Sequence, residues 1–112
     1  MRNTNALLFA LVIGAGGSSV LAQTGGNAEA AKSKVSMCMG CHGIPMYHTA
    51  YPEVYSVPMI GGQSATYIVK ALQEYKSGER SHPTMQGIAK GLTDQDMADV
   101  AAYYGGAAKE NK

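Results

Sequence analysis

Two cysteines, Cys38 and Cys41, and the histidine that follows them, His42, form the densest group of reactive side chains in the sequence. Cys38-Met39-Gly40-Cys41-His42 is a C-x-x-C-H run. That run is the attachment signature for a covalently held haem. Two thiols three residues apart at the end of a helix can each add to one of the two vinyl groups on a porphyrin edge. The adjacent imidazole then meets the iron from the same side. Other chemistries fit less well. A thioredoxin-type pair opens a helix in a strand–helix–strand setting, whereas this pair closes a helical pattern with no strand pattern near it. A structural zinc site needs four ligands, and Cys41 and His42, being neighbours, would be strained on one tetrahedral ion. A disulfide between Cys38 and Cys41 would close a loop too small to staple anything.

An iron held by His42 needs a ligand on its opposite face. A methionine sulfur there is a solution that raises the reduction potential. Met37, Met39 and Met46 are tethered too close to the histidine, and Met97 falls on the apolar face of the last helix, where packing explains it. Met85 lies just before that helix, beyond Pro83, in a segment able to swing a side chain across the far face. It is the favoured ligand, with Met59, next to Pro58, second. His48 and His82 are the bis-histidine alternatives, each read more simply as a surface loop histidine.

The elements that must position these groups follow from pattern. Arg2, the apolar run Ala6 to Ile13 and the small residues up to Ala22 read as a secretory signal peptide with cleavage after Ala22. The run is interrupted too soon by Gly and Ser for the ~20 apolar residues of a membrane span. Residues 23–27 are a short polar lead, 28–106 one domain, and 107–112 a polar tail. A helix is expected from about Ala28 to about Met39, with Ala28, Ala31 and Val35 on one face. Pro45, Pro52 and Pro58 make 40–62 an irregular loop. Ser64 caps a second helix, Ala65 to Ser77, stopped by Gly78. Residues 79–92 read as a second loop. Thr93, with Asp96 three residues on, opens a last helix that ends at Gly105 and Gly106. The expected class is all-α, with three main helices and two long loops. Loops of that length need a purpose, and wrapping one haem would supply it.

Composition supports a cofactor-filled centre. The sequence carries Lys+Arg 9 against Asp+Glu 8, with no Trp and one Phe. Without Arg2 the charges balance, so nothing argues for nucleic-acid binding. Beyond Ala22 the only leucines are Leu72 and Leu92, while all seven tyrosines lie there. So small and apolar-poor a domain struggles to bury enough surface to offset chain entropy.

CMGCHG, then VPMIGGQSATYIVKALQEYKSGER, then HPTMQGIAKGLTDQDMADVAAYY together resemble a class I c-type cytochrome. The resemblance spans almost all of Ala28 to Gly105 and is nearest to one half of the two-domain cytochromes of the c-four type. It implies a helical bundle whose first and last helices cross near the haem edge, with Ala31 and Val35 against Val100, Ala101 and Tyr104. It implies thioether bonds to haem c at Cys38 and Cys41, and axial iron ligation by His42 and Met85. Relatives often carry a second Met where this chain has Ile88. It also implies that the carbonyl of Pro58 accepts the Nδ1 proton of His42, fixing the tautomer. The expected function is single-electron transfer by a periplasmic mono-haem carrier, not an enzyme, with transient redox-protein partners and no membrane span after cleavage. A haem-bearing subunit of a dehydrogenase or oxidase complex is the alternative. The departure is 44–57 (IPMYHTAYPEVYSV), a long tyrosine-rich loop. Tyr47, Tyr51 and Tyr55 there are read as cover for the haem ahead of a partner-docking surface.

Overall fold

A computed structural model describes residues 25–50 and 56–106. The signal-peptide and tail assignments, and Tyr51 and Tyr55, lie outside the described residues. Among the described residues five helices follow in order: α1 (Ala28–Ala31), α2 (Ser36–His42), α3 (Ala65–Ser77), α4 (Pro83–Lys90) and α5 (Asp94–Gly106). Among the described residues there is no strand, and no helix is long and apolar enough to cross a membrane.

The expected first helix is two. Asn27 caps α1, its side chain accepting from the backbone of Glu29 at 2.9 Å and of Ala30 at 3.3 Å. The chain then tightens: Lys34 N–H reaches back three residues to the Ala31 carbonyl at 2.7 Å, and Ser33 Oγ bonds the Ala30 carbonyl at 3.3 Å. A serine that bonds the preceding turn bends a helix, and three-residue bonds overwind it. Helical geometry resumes at Ser36 and runs to His42, past the expected end at Met39.

α3 has the expected bounds. Ser64 Oγ accepts from Tyr67 N–H at 3.4 Å, and Gly78 stops the helix with φ +89°, a left-handed conformation suited to glycine. α4 corrects the sequence reading, since 83–90 is a helix and not part of a loop. Pro83 breaks a helix interior but suits a first turn, where its missing N–H has no partner to lose. His82 caps the helix, its Nδ1 accepting from Met85 N–H at 3.3 Å. At α5 the expected box forms: Asp96 N–H donates to Thr93 Oγ1 at 3.1 Å and Thr93 N–H to Asp96 Oδ2 at 2.9 Å. The helix ends at Gly105 and Gly106, as expected. The Tyr104 carbonyl is satisfied there by Gly62 N–H at 2.9 Å.

The core is built around α5. Met97, Val100, Ala101 and Tyr104 are buried against Ala31 and Val35 on one side and Ile68, Leu72 and Leu92 on the other. α5 packs on α1 and on α3, and α3 packs on α4. Just before α1 the backbone comes so close to α5 that a Cβ on Gly26 would lie 1.7 Å from the Ala98 carbonyl oxygen. Only glycine fits there. A polar lock closes the same crossing. Asp99, 3% exposed, accepts from Asn27 N–H at 2.8 Å and from Gln95 Nε2 at 2.8 Å. Lys34 reaches across to pair with Asp96 and, at 3.6 Å, with Asp99. Hydrogen bonding from Lys34 and Thr93 holds the Asp96 carboxyl down to about 2. The Asn27 and Gln95 bonds lower that of Asp99, and Asp96 raises Lys34.

Candidate functional site

α2 carries the chemistry at its C-terminal end. Cys38 and Cys41 stand one turn apart on it, and His42 is its last residue. Residues three and four apart share a helix face, so one helix turn presents both thiols and the imidazole together. Cys38 packs against the core, and burial pushes its thiol up. Cys41 and His42 are half-buried. Neither cysteine is in a disulfide. Among the described residues no three His, Cys, Asp or Glu side chains converge as a metal-ligand group.

The loop after α2 returns to the histidine. Val57 N–H donates to the Tyr47 carbonyl at 2.7 Å, which brings Pro58 back beside α2. His42 Nδ1 lies 2.6 Å from the Pro58 carbonyl oxygen. A carbonyl only accepts, so Nδ1 carries the proton and Nε2 is left with its lone pair. That is the tautomer a metal needs, with the ring orientation held by the carbonyl oxygen.

The other sequence-chosen residues are spread over separate elements. Met85 is half-buried in the first turn of α4 and packs against the core. Met59 is 54% exposed and directly follows the residue whose carbonyl touches His42. His48 is exposed. His82 is not an idle surface histidine: it is half-buried, caps α4 and meets the Tyr75 ring edge-on at 6.4 Å. Tyr47 is half-buried and contributes its carbonyl to the loop closure. Met37, Met39, Ile44 and Met46 are exposed around the C-x-x-C-H turn.

Two features go beyond the sequence reading. Tyr104 Oη is buried with no hydrogen-bond partner. Its hydroxyl is pushed up to about 12, by burial first and then by Cys38 and Tyr103 nearby. Arg80 lies over the rings of both Tyr67 and Tyr75. The sequence offered only a lone cation after Gly78, and aromatic partners on the facing turns of α3 are the pattern that could have found it.

Comparison with known proteins is consistent along the chain. The family model described as Cytochrome c matches residues 28–104. Cytochrome c4 of Pseudomonas aeruginosa is 35% identical over 100 residues, covering 89% of this chain and 47% of that protein. Cytochrome c-554(548) of Halomonas halodenitrificans is 39% identical over 82 residues, covering 70% of this chain and 94% of that one. The cytochrome subunit of sulfide dehydrogenase of Chlorobaculum tepidum is 35% identical over 74 residues, covering 66% and 63%. The chain thus spans about half the length of the cytochrome c4 relative and nearly all of the c-554(548). The donors present suit haem c, the prosthetic group of that family. They are two thiols on one helix face, an imidazole with its Nε2 lone pair free, and thioethers on other elements. A buried, unpartnered tyrosine hydroxyl stands beside the first thiol.

Proposed function

This chain belongs to the cytochrome c family, and on that footing we propose that it is a periplasmic, mono-haem, single-electron carrier and not an enzyme. Cys38 and Cys41 form the thioethers, and His42 and Met85 are the axial ligands. Haem c supplies one-electron cycling between Fe(III) and Fe(II), and the residues of this chain decide how it is held and tuned.

The observation that carries the reading is the 2.6 Å contact between His42 Nδ1 and the Pro58 carbonyl. A histidine serving as an ordinary surface residue has no need of a fixed tautomer. One serving as a metal ligand does. The same contact speaks for Met85 over Met59, because Pro58, the residue before Met59, is committed to the histidine, whereas α4 is a separate element that packs on α3. A thioether ligand raises the potential relative to a second histidine. With both axial positions filled by protein, no site is left for a substrate, which favours outer-sphere transfer over catalysis. The exposed Met39 and Ile44 beside the C-x-x-C-H turn leave that edge lightly covered, suited to a small, short-lived interface with a redox partner. The N-terminal pattern up to Ala22 supports secretion to the compartment where such thioethers are made.

A second reading differs in partner only. Similarity to the cytochrome subunit of sulfide dehydrogenase favours a role as the haem-bearing subunit of a dehydrogenase or oxidase complex. Co-purification with a large catalytic subunit from the native cell separates the two.

The test is the intact mass and ferric spectrum of protein matured in a periplasm. One haem added covalently to a chain starting at Gln23, with the weak far-red band of iron–sulfur ligation, is the expected result. A colourless protein with both thiols free contradicts it.

A further inference from the structure

Arg80 stands where α3 hands the chain on to α4. Its guanidinium carbon lies 5.6 Å from the centre of the Tyr67 ring and 5.4 Å from that of Tyr75. One terminal nitrogen donates to Tyr67 Oη at 3.2 Å, and Nε is 3.6 Å from Glu74 Oε2. The Arg80 backbone N–H donates to the Glu74 carbonyl at 3.1 Å. One side chain is therefore anchored to α3 at two places about two turns apart. A planar guanidinium can stack and hydrogen-bond at once, which an ammonium cannot.

The contacts continue beyond α3. The Tyr75 ring meets His82 at 6.4 Å with the planes at 78°, and His82 Nδ1 accepts from Met85 N–H at 3.3 Å. α4 has little hold of its own. It is eight residues long, carries Gly87 in its interior and buries only Ala89. Helices this short and glycine-containing depend on outside support.

We propose that Arg80 is a positioning residue for the sixth ligand: stacked on Tyr67 and Tyr75, it holds Tyr75 against His82 and thereby fixes the first turn of α4, which carries Met85. The proposal rests on the reading of Met85 as the iron ligand. Its consequence is that the resistance of the methionine–iron bond to displacement depends on a residue that never approaches the iron.

The experiment is an imidazole titration of the ferric holoprotein at constant pH, following the far-red iron–sulfur band, with far-UV circular dichroism confirming each fold. Arg80→Leu and Tyr75→Leu should each lower the imidazole concentration that halves the band, by about tenfold, the scale of coupling between contacting residues. The double variant should lose little more than either alone. Arg80→Lys should recover only part of the loss. Lys70→Leu should titrate like the parent, because Lys70 pairs with the same Glu74 at 3.8 Å without touching either ring. A parental midpoint in Arg80→Leu, or in Arg80→Lys, overturns the proposal, as does an equal loss in Lys70→Leu. Should Arg80→Leu fail to fold, Arg80→Lys and Tyr75→Leu decide on the same criterion. Met85→Ala keeps the two readings apart. If it abolishes the band while the Arg80 variants titrate like the parent, the role of Arg80 falls alone. If the band survives Met85→Ala, the ligand assignment itself falls.

Discussion

The crossing of the outer helices and the elements that carry the chemical groups are held in opposite ways. At the crossing of α1 with α5 nearly everything is buried and partnered: Met97 is fully enclosed, Gly26 lets the backbones touch, and Asp99 is satisfied by Asn27, Gln95 and Lys34. Along α2 and α4, which carry the chemical groups, burial is sparse. α2 buries no residue outright and α4 buries one. The crossing is a scaffold built from protein contacts, too small to hold the chain folded unaided. The elements that carry Cys38 and Met85 lean on it through those residues, and on the proposed reading their remaining order comes from bonds to haem. The apolar residues are thus concentrated where two helices must meet, and the proposed cofactor would stabilise the rest.

Cutting the covalent bonds breaks that comparison most severely. Cys38→Ala with Cys41→Ala should leave a chain without haem whose circular dichroism shows largely disordered backbone. A compact, helical double variant would mean that the scaffold suffices alone. Next in size, Met97→Ala in the holoprotein should cost about 2–5 kcal/mol in denaturant unfolding. Met37→Ala, at an exposed site on α2, should change it by less than about 0.5 kcal/mol. Equal costs would erase the contrast between scaffold and rim.

Acid should act on the scaffold side. The Asp96 carboxyl is held down to about 2 and that of Asp99 is also lowered. Groups depressed on folding contribute their stability above the ordinary carboxylate range, and that contribution fades as pH falls from about 4 toward 2. Lys34→Met should flatten this acid limb in a pH series of thermal melts, and an unchanged slope would remove the ion pairs from the account. The smallest effect is on the rim. Met46 has φ +57°, a left-handed conformation costly for a side chain. Met46→Gly should therefore stabilise the holoprotein by roughly a few tenths of a kcal/mol once the entropy of glycine is set against the relieved strain. A clear loss would mean that the Met46 side chain makes a contact that matters.

Much of this was legible in the sequence because it is local. The Ser64 cap on Tyr67, the Gly78 stop against Glu74 and the Thr93–Asp96 box each close within four residues, and each forms. What escaped was of two kinds. Residues 79–92 read as a loop although Pro83 opens α4, since a proline's meaning depends on whether its missing N–H falls in a first turn. Ser33 and Lys34 were read as an unbroken helix because neither the backward bond of a serine nor a partner 62 or more residues away has a signature at the site itself. The contact between Pro58 and His42 came only from family resemblance, because nothing between residues 42 and 58 announces that the loop must close. The aromatic bracket on Arg80 needed the three-dimensional register of α3 with the chain beyond Gly78.

The most direct test of the ligand set compares the reduction potentials and far-red bands of Met85→Ala and Met59→Ala in the haem-loaded protein. Met85→Ala should lose the band, fall in potential and admit added ligands, while Met59→Ala should keep the band and stay near the parent. A Met85→Ala protein with the parental potential and an intact band would contradict that ligand set.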